Sequence, residues 1–451
     1  MDAEDLDYRT RTESGCIPPR FVERLVELGH TDEVERQAGR GEWFCALDRA
    51  RYLAGQDRQA EALAVLDPFV ATGWWTAAES AAALLEGWGR VAEAIALTLP
   101  YAEDGKSFAV EWVGRLLARH GRADEAFDLL HPHVREGFVA AALVDACPHR
   151  AEEVAALLVA RIEAAPVPEC QCGRGCVRWR RTEPWNAGAL LATIRERQGR
   201  VDEAIALLDG MESTAVNDHD LLADLLARHD RFENLRAYAA TDILGFGARR
   251  LAEVLEGRGD VDGAIAVYRQ PAEALICSLH EPLARLLMRH GRVEEATAVL
   301  REWAGAPGGT EDYVADTLCT HYADLGRPED GLAFLDALPM HYSDDDWAFF
   351  CIRQSLLTAC GRREEAYERA RAQVDAGAWH AARTLADLLA EDGRTEEAVA
   401  VLEQQGPDLS ADLAWHLIGA GRVPEAVALL QRPQPRFVAP PADGPIDEPP
   451  F

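Results

Sequence analysis

A Gly-Arg-like turn recurs thirteen times along this chain of 451 residues, at intervals that mostly lie between 28 and 35 residues. In eight copies a Glu-Ala pair follows at the same offset, as Glu125-Ala126 follows Gly121-Arg122. A period of this length is typical of a helical solenoid, in which one repeat cannot bury its apolar face alone. The repeat therefore predicts an elongated interaction surface rather than a catalytic pocket.

Each turn separates two helical patterns. Glycine just past a helix end adopts the left-handed conformation that closes the last turn, and Asp tolerates the same region. The second pattern begins with acidic residues, which suit a helix N-terminus. An Arg and a Glu three positions apart, such as Arg122 and Glu125, predict a solvated pair that contributes little stability. The thirteen turn residues are Gly29, Asp57, Gly89, Gly121, His149, Gly199, Asp230, Gly259, Gly291, Gly326, Gly361, Gly393 and Gly421.

The turn glycine, the Glu-Ala pair and a large residue nine positions after the turn resemble the tetratricopeptide repeat. Small residues such as Gly114 and Ala284 stand where that family carries its helix-packing glycine. The resemblance covers residues 21–431, although the period wanders and the family's terminal proline is mostly missing. It implies an all-α fold, a right-handed α-solenoid of about 13 helix-turn-helix (TPR-like) repeats.

The same resemblance implies that a peptide or protein binds on the concave face, which the first helix of each repeat lines. An ordinary solvated surface is the alternative interpretation of these positions. The family's inward-facing positions correspond here to Glu79, Glu111, Arg115, Asn186, Arg285, Asp316 and Arg383.

The solenoid is expected over residues 21–431, between a flexible segment at 1–20 and a Pro-rich, disordered tail at 432–451. A Cys/Arg-rich insertion at 165–184 interrupts it. We expect the apolar residues of the last helix to be covered by the tail or by a second subunit. We also expect Pro68, Pro100 and Pro132 to stop the second helix of their repeats after about nine residues.

A tryptophan stands fourteen residues before the turn in five repeats, and the regular stripe favours packing between repeats. An aromatic ladder for ligands is the alternative, and it requires exposed rings. The five residues are Trp43, Trp75, Trp185, Trp347 and Trp379.

Three thiols, Cys170, Cys172 and Cys176, lie close together in the insertion. With a fourth ligand they can bind a structural zinc ion, although their spacing is not the usual paired Cys-x2-Cys arrangement. Free or redox-responsive thiols and a disulfide are the alternatives. The candidates for the fourth ligand are Cys147, His149, His131 and His133.

The net charge of −31 disfavours nucleic acid, including the RNA that pentatricopeptide repeats of similar length bind, and favours basic protein partners. Isolated cysteines among apolar neighbours indicate a reducing compartment, and no signal peptide or membrane span is visible. These features predict a cytoplasmic protein. Lys106 is the only lysine, which favours the codon usage of a GC-rich bacterium.

No nucleotide-binding, hydrolase or metalloprotease motif is present, so we expect no enzyme. The sequence favours a non-catalytic scaffold or adaptor that binds a peptide or protein partner. The alternative is a regulatory or sensor protein whose Cys-rich loop binds zinc or responds to the redox state.

Overall fold

The computed structural model describes residues 2–164, 186–211, 214–216, 219–270, 279–305, 312–338, 347–406 and 409–432. Within them, helices α2 to α27 form thirteen successive pairs, each with a first helix, a turn and a second helix. The prediction of an all-α solenoid of about 13 helix-turn-helix repeats is confirmed. No helix in the described part of the chain is long and apolar enough to cross a membrane.

The chain divides into two compact units. Unit 1 comprises Met1–Arg90 and Tyr367–Phe451, and unit 2 comprises Val91–Ala366. The helices of unit 1 are α1 (Ala3–Thr12), α2 (Pro19–Glu27), α3 (Thr31–Gly39), α4 (Trp43–Gly55), α5 (Gln59–Val70), α6 (Trp75–Gly87), α24 (Trp379–Glu391), α25 (Thr395–Glu403), α26 (Ser410–Gly419) and α27 (Val423–Leu430). Helix α23 (Arg363–Asp375) crosses the boundary between the units.

Unit 2 holds eight first helices, one short hairpin and two 3-10 turns within the described residues. Its elements are α7 (Val91–Glu103), α8 (Ser107–Arg119), α9 (Ala123–Leu130), a 3-10 turn (His131–His133), α10 (Gly137–Ala146), a second 3-10 turn (Pro148–Arg150), α11 (Ala151–Ala164), α12 (Ala187–Arg197), α13 (Val201–Asp209), the antiparallel strands β1 (Ala215–Val216) and β2 (His219–Asp220), α14 (Leu221–Arg228), α15 (Phe232–Thr241), α16 (Phe246–Gly257), α17 (Val261–Tyr268), α18 (His280–Arg289), α19 (Val293–Gly305), α20 (Asp312–Asp324), α21 (Pro328–Asp336) and α22 (Trp347–Ala359).

The turns are built as the sequence predicts. Twelve of the thirteen turn residues have a positive φ, from 55° at Asp230 to 84° at Gly259. The next amide then bonds back to the first helix, as Arg122 N donates to the Leu117 carbonyl at 2.9 Å. His149 is the exception, because it lies within a 3-10 turn.

Small residues bring the helices together. In unit 2, a Cβ placed on Gly114 of α8 would lie 2.6 Å from the side chain of Leu130, which ends α9 and is fully buried. The alanines five positions after the turn are all fully buried as well, namely Ala62, Ala94, Ala126, Ala204, Ala264, Ala296, Ala366, Ala398 and Ala426. The sequence expectation that these positions allow close approach is confirmed.

Two of the three prolines do not stop their helices. Pro68 lies inside α5 and Pro100 lies inside α7, and each helix continues for two or three residues beyond its proline. Each proline costs its helix one backbone hydrogen bond, to the carbonyl four residues earlier, but the loss does not end the helix. Pro132 lies in the 3-10 turn His131–His133 that follows the end of α9 at Leu130.

The turn arginines join neighbouring repeats. Arg292 donates from Nε and Nη2 to Glu295 of its own repeat, at 2.6 and 2.8 Å, which is the predicted pair, and from Nη1 to Asp262 of the preceding repeat at 2.8 Å. Arg231 reaches Asp202 of its preceding repeat at 2.7 Å in the same way. The sequence interpretation missed this second contact, which joins one repeat to the next.

A second ionic contact also repeats between first helices. Glu256 of α16 accepts two hydrogen bonds from Arg289 of α18, at 3.0 and 2.7 Å, and lies 2.8 Å from His290 Nε2. Glu196 of α12 makes the same contacts with Arg228 of α14 and with His229, the next residue. The hydrogen bond from Arg289, helped by His290, lowers the pKa of Glu256.

The first and last repeats pack together within unit 1. Phe21 and Leu25 of α2 share an apolar cluster with Leu417 and Ile418 of α26, and all four are 3% exposed or less. Gln431 Nε2 donates to Gln37 Oε1 across the same contact at 3.0 Å. The two repeats therefore cover each other's apolar faces.

This packing differs from the expectation that the tail or a second subunit covers the last helix. Val427 of α27 is 4% exposed, and Leu429 and Leu430 pack against the same cluster. The cover comes from the first repeat, which sequence periodicity did not reveal. The rest of the predicted tail, residues 433–451, lies outside the described residues.

The N-terminal segment also differs from the flexible stretch expected at 1–20. Residues Ala3–Thr12 form α1, whose Leu6 is 2% exposed. Arg9 contacts the nearly buried carboxylate of Glu42 at 2.7 Å, and Glu42 accepts a further hydrogen bond from the Ile17 amide. An ion pair with one buried partner and these extra bonds attaches α1 to the repeat.

We predict that Gly114→Ala destabilises the protein by about 1–2 kcal/mol, because the new methyl group overlaps a buried leucine and outweighs the gain in helix propensity. The matched control is Gly257→Ala in the same unit, where nothing lies within 4 Å of the added Cβ. Thermal unfolding compares the two variants. A Gly114→Ala midpoint at or above that of Gly257→Ala would contradict this packing.

We predict that Glu256→Gln lowers the free energy of unfolding by about 1 kcal/mol at neutral pH, since the contact is partly exposed. The lowered pKa of Glu256 means that its contribution is present above the ordinary value of 4.5 and is lost as the pH falls through the folded-state value. Urea unfolding at several pH values should show the variant and the parent converging in acid. A difference that persists unchanged in acid would argue against this ion pair, and Glu253→Gln on the same helix is the control.

Candidate partner-binding face

The structure places all seven predicted groove residues on first helices or at their start. Asn186 has a local structural role, because its Oδ1 caps α12 by accepting from the Gly188 amide at 2.8 Å. The preference of Asn for this capping position was the signal that the sequence interpretation overlooked. Glu79 lies in unit 1 on α6, Glu111 and Arg115 lie in unit 2 on α8, Arg285 lies on α18, Asp316 on α20 and Arg383 on α24.

Charged side chains connect three first helices of unit 2. Arg115 of α8 bonds to Glu111 one turn earlier and reaches Asp145 of α10 at 3.3 Å. Arg197 of α12 contacts the other oxygen of Asp145 at 2.8 Å. Burial disfavours the charged form of Arg115. The hydrogen bonds that Arg115 donates to Glu111 and Asp145 outweigh this effect and raise the pKa of Arg115. The arginine is therefore held in a fixed position.

A cleft of about 490 Å³ opens beside this chain of ion pairs, between α8, α9 and α10. Alanines form much of its wall, so the space between the helices stays open. The polar residues of its lining are Arg115, Arg119 and Asp145, together with the imidazole of His149. With two arginines and one carboxylate, the lining is more basic than the chain as a whole, whose net charge is −31.

Two phenylalanines lie at the opposite end of the same helices. Phe108 of α8 is 69% exposed, and its ring stacks on that of Phe138 of α10 with 5.2 Å between centroids and 14° between planes. Positions 108, 111, 115 and 119 follow helical spacing, so they share one face of α8. We call the surface formed by Phe108, Glu111, Arg115, Arg119, Phe138 and Asp145 the α8–α10 face. Phe108 matches no repeated position, which is why the sequence interpretation missed it.

The other predicted groove residues lie on separate first helices. Arg285 is 73% exposed and pairs with Glu281 on its own helix at 2.5 Å. Asp316 is exposed on α20, and Glu79 is half-buried on α6. Arg383 contacts Asp412 of the next first helix at 3.3 Å. Arg115 lines the cleft between α8, α9 and α10, and Glu111 is its partner.

The tryptophan stripe divides into buried and exposed rings. Trp43 is 4% exposed and packs edge-on against Phe69 and Trp74, as the packing interpretation requires. Trp347 and Trp379 are 42% and 56% exposed, which the alternative of a ligand ladder requires. Trp75 is half-buried, and Trp185 lies outside the described residues.

The zinc prediction concerns Cys170, Cys172 and Cys176, which also lie outside the described residues. In the described part, no three His, Cys, Asp or Glu residues are arranged to hold a metal ion. The zinc site stays a prediction.

The candidates for the fourth zinc ligand already have contacts of their own. The Cys147 thiol is buried and lies 3.6 Å from the Ala123 carbonyl, and burial raises the pKa of Cys147 to about 11. His149 contacts Asp124 at 3.3 Å, and His131 contacts the Phe127 carbonyl at 3.0 Å. His133 lies in the 3-10 turn after α9. A zinc ion would have to displace the existing contact of Cys147, His149 or His131.

No protein-family model and no curated protein matches this chain. A solved structure of Naa15/Naa10 bound to HypK-THB is similar over 91% of this chain and 74% of that chain, with 13% identity and a TM-score of 0.36. The pentatricopeptide repeat protein PPR10 from maize is similar over 95% of this chain and 65% of its own, with 18% identity and a TM-score of 0.33. Both TM-scores lie below 0.5, so the function proposed below rests on the residues of this chain.

Proposed function

We propose that the protein is a non-catalytic scaffold whose α8–α10 face binds a segment of a protein partner. The observation that carries the proposal is the exposed, stacked pair of Phe108 and Phe138 on the same helices as an alanine-walled cleft. Aromatic side chains are enriched in protein interfaces, and exposed apolar patches mark interaction sites. The ion pairs around Arg115 hold the helices in place, which reduces the entropy lost on binding.

The distance between the two ends of the α8–α10 face defines the length of the partner segment that fits it. Phe108 and Arg119 are eleven residues apart, or about 17 Å along the helix. An apolar or aromatic side chain would contact the phenylalanine pair, and a carboxylate would enter the cleft beside Arg115 and Arg119. The net charge of −31 attracts partners of net positive charge at long range. At contact distance, the charges of Arg115 and Arg119 determine which side chain of the partner binds there.

The same charge supports the proposal that nucleic acid is not the partner, because it repels a phosphate backbone. A cytoplasmic location, a bacterial origin and the absence of catalysis stay predictions of the sequence. The sensor function would depend on the Cys-rich insertion, outside the described residues.

A displayed peptide library selected on the full chain tests the proposal. We expect enriched peptides to combine an aromatic side chain with an acidic one. The double variant Phe108→Ala/Arg119→Glu should weaken their binding by about 30-fold, which corresponds to about 2 kcal/mol for a hot-spot contact. Both side chains are exposed, so the variant should fold normally.

The matched control is Tyr313→Ala/Arg285→Glu, which removes an exposed aromatic ring and reverses an exposed arginine elsewhere in unit 2. Its affinity for the same peptides should change by less than about twofold. Peptides that bind the Phe108/Arg119 variant as tightly as the parent would refute the proposed face. Tight binding of single-stranded RNA in the same assay would refute the choice of a protein partner.

A further inference from the structure

A groove lies between α15 and α17, the second helices of two successive repeats of unit 2. The first helix α16 forms its floor, through the side chains of Ala248, Leu251 and Leu255. The volume of the groove is about 440 Å³, which lies within the range of about 300–1,000 Å³ that is usual for small-molecule sites. We call it the α15–α17 groove. It shares no residue with the α8–α10 face.

The groove is open because its repeat departs from the pattern of the others. Most repeats carry an arginine one position after the turn and a carboxylate four positions after it, whereas the repeat of α16 and α17 carries Asp260 and Gly263. It is the only one of the thirteen that lacks both. At the next interface, Glu295 of α19 stands at the position of Gly263 and contacts Arg269, directly after α17, at 3.1 Å. The position of Arg269 is Ala240 in α15, so the two walls of the groove lack the side chains of this ion pair.

Asp260 and Gly263 depend on each other. The Gly263 amide donates a hydrogen bond to Asp260 Oδ1 at 2.9 Å, and a Cβ at position 263 would overlap Asp260 Oδ2. Any larger residue at 263 would therefore displace this carboxylate from the groove, which it lines. Among the described residues, Oδ2 has no hydrogen-bond or ion-pair partner. The carboxylate is thus held by one oxygen and offers the other to a ligand.

A guanidinium lies on the opposite wall of the groove. Arg236 precedes Ala240 by one helical turn, so both residues share the face of α15 that lines the groove. Arg236 is exposed, and it makes no hydrogen bond or ion pair with any other residue that the structure describes. The α15–α17 groove therefore combines one unpaired cation, one carboxylate oxygen and an aliphatic floor.

We propose that the α15–α17 groove binds a free amino acid with an aliphatic side chain. Its ammonium group contacts Asp260, its carboxylate contacts Arg236, and its side chain packs on Leu251 and Leu255. Charge-assisted hydrogen bonds and apolar burial then act together. A ligand with a single charge leaves either Asp260 or Arg236 unpaired.

The charge of the whole chain favours the same class of ligand. The net charge of −31 repels a simple anion, whereas a zwitterion carries no net charge and approaches unopposed. Because the groove and the α8–α10 face share no residue, this site does not depend on the proposed function.

Isothermal titration calorimetry of the full chain with free leucine tests the proposal. We expect a Kd below about 1 mM. Leucinamide lacks the carboxylate and 4-methylpentanoate lacks the ammonium group, so each should bind about tenfold more weakly than leucine. Alanine should bind more weakly by at least about tenfold, because it lacks most of the aliphatic side chain.

Two variants locate the bound leucine. Arg236→Gln should weaken its binding about tenfold, while the matched control Arg135→Gln, which changes an exposed arginine outside the groove in the same unit, should leave it unchanged. Asp260→Arg/Gly263→Glu gives this repeat the residues that most other repeats carry. This variant should therefore fold, which thermal unfolding checks, and should lose leucine binding by at least about tenfold.

Three results would overturn the proposal. Absence of leucine binding up to about 10 mM would show that the groove takes no free amino acid. Equal affinity of the parent and Arg236→Gln would place the bound leucine elsewhere. N-acetyl-leucinamide that binds as tightly as leucine would show that the groove accepts a side chain of a peptide instead.

Discussion

The contact between the first and last repeats covers the apolar faces that the two ends of this solenoid would otherwise expose. Each repeat of a solenoid buries its apolar face on its neighbours, so the two terminal repeats are left with uncovered faces. Here α2 covers α26, and Phe21 and Leu25 are as deeply buried as any residue of a central repeat. Full burial of a large apolar side chain contributes about 1.5–3 kcal/mol, so a few such residues outweigh the few polar bonds at this contact. The terminal repeats therefore need neither a polar cap nor a second copy.

Once the apolar faces are covered, the ionic contacts determine how the repeats align. Turn arginines such as Arg292 and Arg422 contact carboxylates of their own repeat and of the preceding one, and Glu256 joins two first helices. Exposed ion pairs contribute little individually, but the bidentate geometry at the α12–α14 and α16–α18 interfaces fixes the register of these first helices. Most exposed charges thus have partners within the chain. The exposed ring of Phe108 at the start of α8 is a feature that packing does not explain, and the proposed function rests on it.

Much of the fold could be predicted from the sequence, because its signals are local. Each signal acts within one repeat. A glycine or an aspartate adopts the left-handed conformation at the turn, and an alanine and the leucine four residues after it pack the second helix against the first. The contact between the first and last repeats could not be predicted, since Gln37 and Gln431 are 394 residues apart and no local pattern links them. Helix α1 was missed because Leu6 is its only buried residue, so it shows no apolar period. For the site, the family positions located Glu111 and Arg115, whereas the Phe108–Phe138 stack arises only once α8 and α10 are neighbours.

The contact between the first and last repeats is tested most directly by the distance between spin labels at Arg36 and Arg432, which lie in these two repeats of unit 1. Both side chains are exposed, and labels introduced as non-natural amino acids leave the ten cysteines unchanged. Packed helices lie 8–10 Å apart, so with the label arms we expect a single narrow distance of about 20–30 Å. A broad distribution, or a distance beyond about 60 Å as expected for terminal repeats separated by many helix layers, would contradict the account.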